Sequence, residues 1–212
     1  MRERLAAIYT AALADILDAR GYHAQTLPVS IRPLAPGTTL AGQAFTVQGR
    51  PATVTNYDVA LRNVLRMLGD VPAGHVAVYA CEQDVSAHLG ELSVTSLKAR
   101  EVAGCVVDGG CRDIRFILEE GFPVFCRHVT PDDSTWRWKL EATQVPVTIG
   151  QVRIEPGDWI VGDDDGVVAV PLGIAESVLA EAEQKAATES EIRVAVREGM
   201  LPLEAYERFG TF

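Results

Sequence analysis

The chain has 212 residues, of which 48% are hydrophobic and 23% charged, so it is long enough to bury a substantial core in one domain. Its 19 basic and 29 acidic residues give a formal net charge of −10. This balance argues against a nucleic-acid-binding surface, which needs a local excess of Lys and Arg. The sequence contains no run of about eighteen apolar residues, so we expect no membrane span.

The N-terminal segment predicts one amphipathic helix over residues 3–20, with apolar residues at helical spacing and Gly21 as its C-cap. Its positive start is also typical of a signal peptide. Asp15 and Asp18 interrupt the apolar run, however, so we interpret it as a helix of the mature protein. A strand–helix–strand rhythm follows, typical of an α/β fold. The predicted elements are the strand 41–48, the helix 56–68, the strand 75–80, a loop over 81–90 and the helix 91–101.

The C-terminal part changes character. Short apolar runs separated by Gly, Pro and Asp turns predict a small antiparallel meander, and a long helix is predicted over 173–197. The last residues, LPLEAYERFGTF, are apolar enough that we expect the region 174–212 to take part in subunit packing. The predicted meander strands are 145–149, 152–154, 159–161 and 167–170.

The four cysteines form no CxxC pair, and we expect reduced, mostly buried thiols in a cytoplasmic protein. Cys111 adjoins Arg112, but the sequence shows no neighbouring base, so a nucleophilic thiol is disfavoured. The remaining cysteines are Cys81, Cys105 and Cys126.

The central stretch from Gly104 to Pro131 carries the strongest functional signal. An apolar strand over 105–107 is predicted to break at Asp108-Gly109-Gly110, and a helix is predicted to begin at Arg112-Asp113. One Arg and one Asp would then lie at the carboxyl end of a strand and at a helix start, where open α/β sheets place ligand chemistry.

Glu91 precedes Arg112 with twenty residues between them, which in a βαβ unit returns the chain to the same edge of the sheet. Two carboxylates, one guanidinium and helix-start amides would face one pocket. Carboxylates and water suit a hard divalent cation, and Arg suits the carboxylate of a small oxo acid. The alternative is a surface Glu and a structural Arg–Asp pair in which Asp113 only caps its helix.

The string VVDGGCRDIRFILEEGFPVFCR resembles the RraA-like superfamily, specifically its class II pyruvate aldolase branch, and the resemblance extends over roughly residues 12–198. It also includes ADILDARGY, IRPLAPGTTLAGQAFTVQ and VPVTIGQVRIEPGDWIVGDDDGVVAVP. The resemblance implies a single α/β domain over 1–212, with α-β-β-α layers of the swivelling type, a central βαβ core and a β-rich layer. It also implies assembly as a homotrimer or hexamer.

The implied activity is cleavage of 4-hydroxy-4-methyl-2-oxoglutarate to pyruvate, together with decarboxylation of oxaloacetate. Carried over by residue, Asp113 would ligate Mg²⁺ or Mn²⁺, and Arg112 would bind substrate and stabilise the enolate. The pyruvyl carboxylate would lie against Gly90, Glu91, Leu92 and Ser93, and Glu91 would also hold metal-bound water. Two positions depart from the family pattern. Glu91 replaces an Asp, and His88 stands where an aromatic residue is common.

The same family contains regulators that bind ribonuclease E without known catalysis, and a non-catalytic binding protein is therefore the competing hypothesis. Asp113 favours the enzyme, because those regulators lack a good metal ligand after the Arg. Some relatives are labelled menaquinone methyltransferases, but this sequence has no glycine-rich nucleotide-binding loop of the required kind.

Four other motifs are given mainly structural interpretations. Asp163-Asp164-Asp165 predicts a polar turn between strands, and the histidine spacing does not fit a zinc site. His88 could line the pocket or be a loop residue facing solvent. Residues 136–139 are interpreted as a packed loop or subunit contact. The resemblance implies that Glu189 or Glu191 could approach the metal pocket of a neighbouring subunit.

Overall fold

A computed structural model describes residues 1–82 and 84–212 as a mixed α/β domain. None of its helices in these ranges has the length and hydropathy that a membrane span requires. Short 3-10 turns occur at Ser134–Trp136 and Leu172–Ile174. The helices are α1 (Arg2–Ala6), α2 (Thr10–Ala19), α3 (Tyr57–Asp70), α4 (Glu91–Ala99), α5 (Ile114–Glu120), α6 (Ala175–Arg197) and α7 (Pro202–Phe209).

The strands are β1 (Arg32–Pro33), β2 (Leu40–Pro51), β3 (His75–Ala80), β4 (Ala87–Leu89), β5 (Gly104–Cys111), β6 (Val124–Val129), β7 (Trp138–Thr143), β8 (Val147–Ile149), β9 (Val152–Ile154), β10 (Trp159–Asp163) and β11 (Gly166–Val170). Nine of them form one sheet, ordered β1-β6-β5-β3-β2-β10-β11, with β4 on β5 and β7 on β2. Its centre is parallel from β2 through β3 and β5 to β6, as the predicted βαβ core requires.

The two ends of this sheet approach each other. The Leu27 amide donates to the Val167 carbonyl at 2.9 Å, and the Ala169 amide donates to the Gln25 carbonyl at 2.9 Å. The segment that precedes β1 therefore pairs with β11 and brings the sheet close to a barrel.

Because the sheet curves, its buried apolar side chains and those of the helices form three separate clusters. Alternate residues of β3 point to opposite faces, so that Val76 and Val78 enter the interior cluster while Ala77 and Tyr79 face the outer one. The β8–β9 hairpin adds its apolar side chains to the interior. Helices α3, α4 and α5 cover one outer face, and α1, α2 and α6 cover the other. The predicted α-β-β-α layering is confirmed.

The predicted helix over 3–20 is two helices, α1 and α2, because the backbone at Tyr9 is extended (φ −74°, ψ 146°). The break is fixed by a distant residue. The Asp163 carboxylate accepts hydrogen bonds from the Thr10 amide and from the Thr10 hydroxyl, each at 2.7 Å. It therefore caps α2 from the turn between β10 and β11.

The prediction that Asp108-Gly109-Gly110 breaks the central strand is wrong, since β5 continues to Cys111. The two glycines permit close packing instead. A Cβ on Gly109 would lie 2.7 Å from Cδ2 of His88, and one on Gly110 would lie 2.8 Å from Nε2 of His128. They let β4 and β6 approach β5 on either side.

The prediction that the strands between residues 145 and 170 form one antiparallel meander is also wrong. The β8–β9 hairpin is a separate two-stranded sheet, whereas β10 joins the main sheet beside β2 and pairs with β11. The Asp163–Asp165 segment forms the predicted polar turn between β10 and β11.

Candidate active site

A cleft of about 240 Å³, open to solvent, lies where the ends of β4 and β5 meet the starts of α4 and α5. Helix α3 and the turn over residues 133–135 close its other sides. The lining residues that carry polar chemistry are Tyr57, His88, Gly90, Glu91, Ser93, Arg112, Asp113, Asp133, Ser134 and Thr135. The structure thus brings both halves of the predicted pocket, residues 90–93 and 112–113, to one place.

Asp113 occupies the position before α5 in a left-handed backbone conformation (φ 58°, ψ 35°), which Asp tolerates better than most residues. Its carboxylate makes no capping hydrogen bond to α5. Instead, Oδ2 accepts a hydrogen bond from the Glu91 amide at 3.2 Å. The side chain is therefore aimed across the cleft entrance at the start of α4, so the helix-capping alternative does not describe its contacts.

Gly90 makes this close approach possible. A Cβ at position 90 would lie 2.6 Å from Oδ2 of Asp113 and 3.3 Å from both Cγ and Nε of Arg112. The backbone of Gly90 is extended (φ −138°, ψ −175°), so glycine is required here for space and not for its torsion angles.

Arg112 lies between two carboxylates. Its Nε is 3.6 Å from Oδ2 of Asp113, and its Nη1 is 3.8 Å from Oδ2 of Asp133. Thr135 orients Asp133 by donating its amide (3.0 Å) and its hydroxyl (2.9 Å) to Oδ1. The sequence does not predict Asp133 as a site residue, because nothing in its local pattern fixes its distance from Arg112.

The start of α4 supplies free amides to the same cleft. First-turn amides of a helix have no partner within the helix, and Leu92 and Ser93 of that turn line the same cleft as Arg112. Together they form a positively polarised site of the kind that binds a carboxylate.

His88 on β4 lines the inner side of the cleft, as one of its two interpretations predicted. It is 8% exposed, so the interpretation of a solvent-facing loop histidine is wrong. It packs edge-on against Trp138 with ring centroids 4.8 Å apart, and its Nε2 is 3.4 Å from Oδ1 of Asp84. Burial alone would raise the pKa of Asp84, but contacts with His88 and hydrogen bonds from Ser86 outweigh it and lower that pKa to about 2.

The distal wall of the cleft is apolar and comes mainly from α3. Leu65 and Phe116 are 54% and 50% exposed, and Leu92, at the cleft mouth, is 77% exposed. This wall is not predicted from the sequence. The signal for it is that α3 has more apolar residues than one buried helix face requires. Its α3 members are Tyr57, Leu61, Val64, Leu65 and Leu68.

Several residues that the sequence offers as functional candidates lie outside the cleft or already contact other side chains. A hydrogen bond with Cys126, together with burial, raises the pKa of the Cys111 thiol, which does not suit a nucleophile. Glu189 accepts a hydrogen bond from the Tyr9 hydroxyl and lies 3.8 Å from Nζ of Lys185. Glu191 is exposed. Trp136 is half-exposed, and its ring lies 5.0 Å from that of Tyr57.

The residues present fit a cation that keeps most of its water. Within residues 1–82 and 84–212, no group of three or more His, Cys, Asp or Glu side chains could enclose a metal ion. Asp113, cradled against Gly90, offers one partly exposed carboxylate in an oxygen-rich cleft. One or two carboxylates with water and substrate is the usual environment of Mg²⁺, and Asp113 is the residue that would hold it.

This fold and site define an α/β protein of the RraA-like family. Residues 10–169 match that family, described as Aldolase/RraA, and the chain belongs to it. Over 200 residues it is 34% identical to a protein of Halalkalibacterium halodurans named "Putative 4-hydroxy-4-methyl-2-oxoglutarate aldolase", covering 94% of this chain and 90% of that one.

Two solved structures extend the comparison. An uncharacterized protein from Pseudomonas syringae pv. tomato superposes with a TM-score of 0.82 at 31% identity, covering 96% of this chain and 94% of that one. Streptomyces coelicolor RraAS2, described as an unusual member of the RNase ES inhibitor RraA protein family, gives 0.80 at 31% identity, covering 90% and 94%. The near-barrel sheet is therefore the fold of this family.

Proposed function

We propose that this protein is a divalent-metal-dependent lyase that cleaves 2-oxo acids of the 4-hydroxy-4-methyl-2-oxoglutarate type to pyruvate and a carbonyl product, and that it also decarboxylates oxaloacetate. The observation that carries the proposal is the convergence of Asp113, Arg112 and the α4 amides around Gly90. The similarity to a protein named as an aldolase supports it.

The 2-oxo acid end of the substrate lies against Arg112 and the first-turn amides of α4. Arg112 offers a planar pair of donors to the carboxylate and keto oxygens, which become more negative as the reaction proceeds. Glu91, at the cleft edge, takes the proton of the C4 hydroxyl directly or through water. The C3–C4 bond then breaks, its electron pair moves to the C2 carbonyl as an enolate, and C4 becomes a carbonyl.

Arg112 stabilises the enolate oxygen because its charge is fixed in place before the reaction begins. Mg²⁺ or Mn²⁺ held by Asp113 would act as a Lewis acid toward the same oxygens. Protonation at C3 releases pyruvate. Loss of CO₂ from oxaloacetate leaves the same enolate, so one arrangement of residues serves both reactions.

The test is pyruvate release from 4-hydroxy-4-methyl-2-oxoglutarate and from oxaloacetate, with Mg²⁺, with Mn²⁺ and after treatment with EDTA. We expect release from both that EDTA abolishes and added metal restores. Release that EDTA leaves unchanged would remove the metal from the mechanism.

The similarity to an RNase ES inhibitor relative favours a second candidate function, that of a non-catalytic protein that binds a ribonuclease or another partner. Such a protein would need neither the metal nor Asp113. Folded protein that releases no pyruvate, but retains a partner equally in wild type and in Asp113→Ala, would establish this alternative.

We also propose that the protein is a homo-oligomer, a trimer or hexamer, packed through its C-terminal region. Helix α7 and the tail expose Leu203, Tyr206 and Phe212 by 67%, 54% and 66%. If a glutamate from α6 reaches a neighbouring cleft, Glu191 is the better candidate, because Glu189 is held by Tyr9 within its own chain. Sedimentation of wild type and Tyr206→Asp tests the packing.

A further inference from the structure

We infer that Asp133 is a positioning residue for the proposed reaction, because it holds the Arg112 guanidinium in the orientation in which that group meets the substrate. The inference rests on the proposed function and deepens it by giving one more residue of the cleft a role. It is carried by the contacts of Asp133 with Thr135 on one side and with Arg112 on the other.

The Asp133 carboxylate is fixed by its own chain. The amide and the hydroxyl of Thr135 donate to Oδ1 at 3.0 and 2.9 Å, and Oδ2 is the oxygen near Arg112. Thr135 is 8% exposed, so these two hydrogen bonds are largely shielded from water. The orientation of the Asp133 side chain is therefore set before a ligand enters the cleft.

The turn that carries Asp133 is anchored on both sides. The Ala87 amide of β4 donates to the Asp132 carbonyl at 2.7 Å, and the Val54 amide donates to the Trp136 carbonyl at 3.1 Å. A side chain that is supported by hydrogen bonds of this kind can hold a second side chain in place.

Two carboxylates together orient Arg112. Oδ2 of Asp113 lies 3.6 Å from its Nε, and Oδ2 of Asp133 lies 3.8 Å from its Nη1. The guanidinium is planar, so attraction at two of its nitrogens restricts both the direction of the side chain and the rotation of the fork. Both separations are longer than a hydrogen bond, so the N–H groups stay available to the substrate.

Fold stability does not account for the pair of Arg112 and Asp133. Their side chains are 39% and 27% exposed, and ion pairs at such positions contribute little to the stability of a fold. Orienting an arginine in advance does affect binding, because immobilising one flexible side chain weakens affinity by roughly three- to tenfold. Asp133 reduces that loss for Arg112.

The role of Asp133 becomes more important when Asp113 is engaged. Asp113 is the residue that would hold the divalent cation, and positive charge there would repel the guanidinium of Arg112. The attraction between Asp133 and Nη1 acts at a different nitrogen of the fork, so it would still retain Arg112 in the cleft.

The variant Asp133→Asn tests the inference through the sign of its effect. The probe is oxalate, a planar dianion that resembles the oxygen atoms of the pyruvate enolate, and calorimetry with Mg²⁺ present measures its dissociation constant. Loss of negative charge alone would strengthen the binding of an anion, whereas loss of a positioned Arg112 should weaken it roughly three- to tenfold. We expect the weaker binding, with a similar fall in kcat/KM for oxaloacetate. Oxalate binding that is unchanged or tighter would overturn the inference.

Two comparisons show whether the effect passes through Arg112. The matched control is Asp132→Asn, because Asp132 pairs with Arg137 at 3.5 Å and lies outside the lining of the cleft; its oxalate binding should stay within about twofold of wild type. In an Arg112→Ala background, Asp133→Asn should cause no loss of oxalate affinity, since no guanidinium remains to be held. The same loss in both backgrounds would show that Asp133 acts independently of Arg112 and would overturn the positioning role.

The variant is chosen to fold. Asn keeps the side-chain oxygen that accepts hydrogen bonds from Thr135, so the turn should persist, and urea unfolding checks that it does. Active wild type with equal oxalate binding in Asp133→Asn would overturn this inference alone. Folded wild type that releases no pyruvate from 4-hydroxy-4-methyl-2-oxoglutarate or oxaloacetate would refute the proposed function, and the inference with it.

Discussion

Two groups of carboxylates look alike in the sequence and differ in what surrounds them. In the turn between β10 and β11, Asp163 accepts hydrogen bonds from the amide and hydroxyl of Thr10 and from the amide of Asp165. Asp164 accepts from the Gly37 amide at 2.8 Å. In the cleft, Asp113 accepts one long hydrogen bond from the Glu91 amide, and Nε of Arg112 is 3.6 Å from its Oδ2.

The difference shows how a carboxylate that stabilises the fold can be told from one that is available to bind a ligand. The lone pairs of Asp163 are occupied by backbone and hydroxyl donors, so this residue stabilises the fold. Asp113 is held in position by a strained backbone and a glycine cradle, yet its side chain stays 44% exposed with capacity for a ligand. Density of negative charge along the sequence does not distinguish the two.

The largest effect is expected for Asp113→Ala. Loss of the carboxylate that would hold the metal should reduce kcat/KM for pyruvate release by about 1,000-fold or more, corresponding to roughly 4 kcal/mol. Because Asp113 does not cap α5 and its one hydrogen bond, from the Glu91 amide at the start of α4, is long at 3.2 Å, we expect the free energy of unfolding to change little. Steady-state kinetics and urea denaturation would measure the two quantities. Full activity in this variant would exclude Asp113 from the mechanism.

Arg112→Lys should follow, with a loss of about 100-fold in kcat/KM, because a lysine ammonium cannot offer the two parallel donors of a guanidinium. The measurement is turnover of oxaloacetate at saturating Mg²⁺. Arg115→Lys, on the exposed side of α5, serves as the matched control and should behave as wild type. Wild-type kinetics in Arg112→Lys would assign Arg112 a structural role.

Gly90→Ala tests the cradle itself. The new methyl group would begin 2.6 Å from Oδ2 of Asp113, so that carboxylate must move. We expect roughly a tenfold loss of kcat/KM and a weaker apparent affinity for Mg²⁺, measured by titrating metal against activity. An affinity equal to that of wild type would mean that the position of Asp113 does not control metal binding.

Asp163→Ala should give the opposite pattern to Asp113→Ala. Removing the cap from α2 should cost about 1–2 kcal/mol of stability, measured by urea unfolding, while turnover stays unchanged. Asp165→Ala is the control within the same turn. Its backbone amide donates to Asp163 and its side chain is exposed, so stability should remain within about 0.5 kcal/mol of wild type. Equal losses in both variants would contradict the capping role.

The smallest effect concerns Asp84 and pH. Its pKa is about 2 in the fold against 3.8 for an unperturbed Asp, so its stabilisation is present above pH 4 and is lost as the pH falls toward 2. We expect wild type to lose about 1 kcal/mol more than Asp84→Asn between pH 5 and pH 3. Urea unfolding at both pH values measures this difference. Parallel losses in the two proteins would show that Asp84 does not gain its partners on folding.

Local patterns predicted the elements whose causes are local. Strands β3 and β9 begin and end at the predicted residues, since their apolar runs are bounded by turn residues. The break at Tyr9 escaped prediction, because the residue that fixes it, Asp163, is 153 positions away from Thr10. The apolar periodicity continues through Tyr9, since α1 and α2 pack on the same cluster.

The candidate site also contains some features that sequence patterns predict and others that only the tertiary structure brings together. The spacing of Glu91 and Arg112 correctly brought two segments to one edge of the sheet, because parallel strands end on the same side. The glycines at 109 and 110 were misinterpreted, because glycine marks both tight turns and close approaches of neighbouring strands. Asp133 and the α3 wall required the tertiary arrangement, since nothing in their local sequence fixes their distance from Arg112.

The capping of α2 by Asp163 has a consequence for how the chain acquires its structure during synthesis. A ribosome releases the N-terminus first, so α1 and α2 emerge long before their anchor exists. The start of α2 remains uncapped until the β10–β11 hairpin has been made, because Thr10 and Asp163 are 153 residues apart in the sequence. Long-range closure of this kind slows folding, and we expect the N-terminal helices to be sensitive to proteases in nascent chains that stop before residue 163.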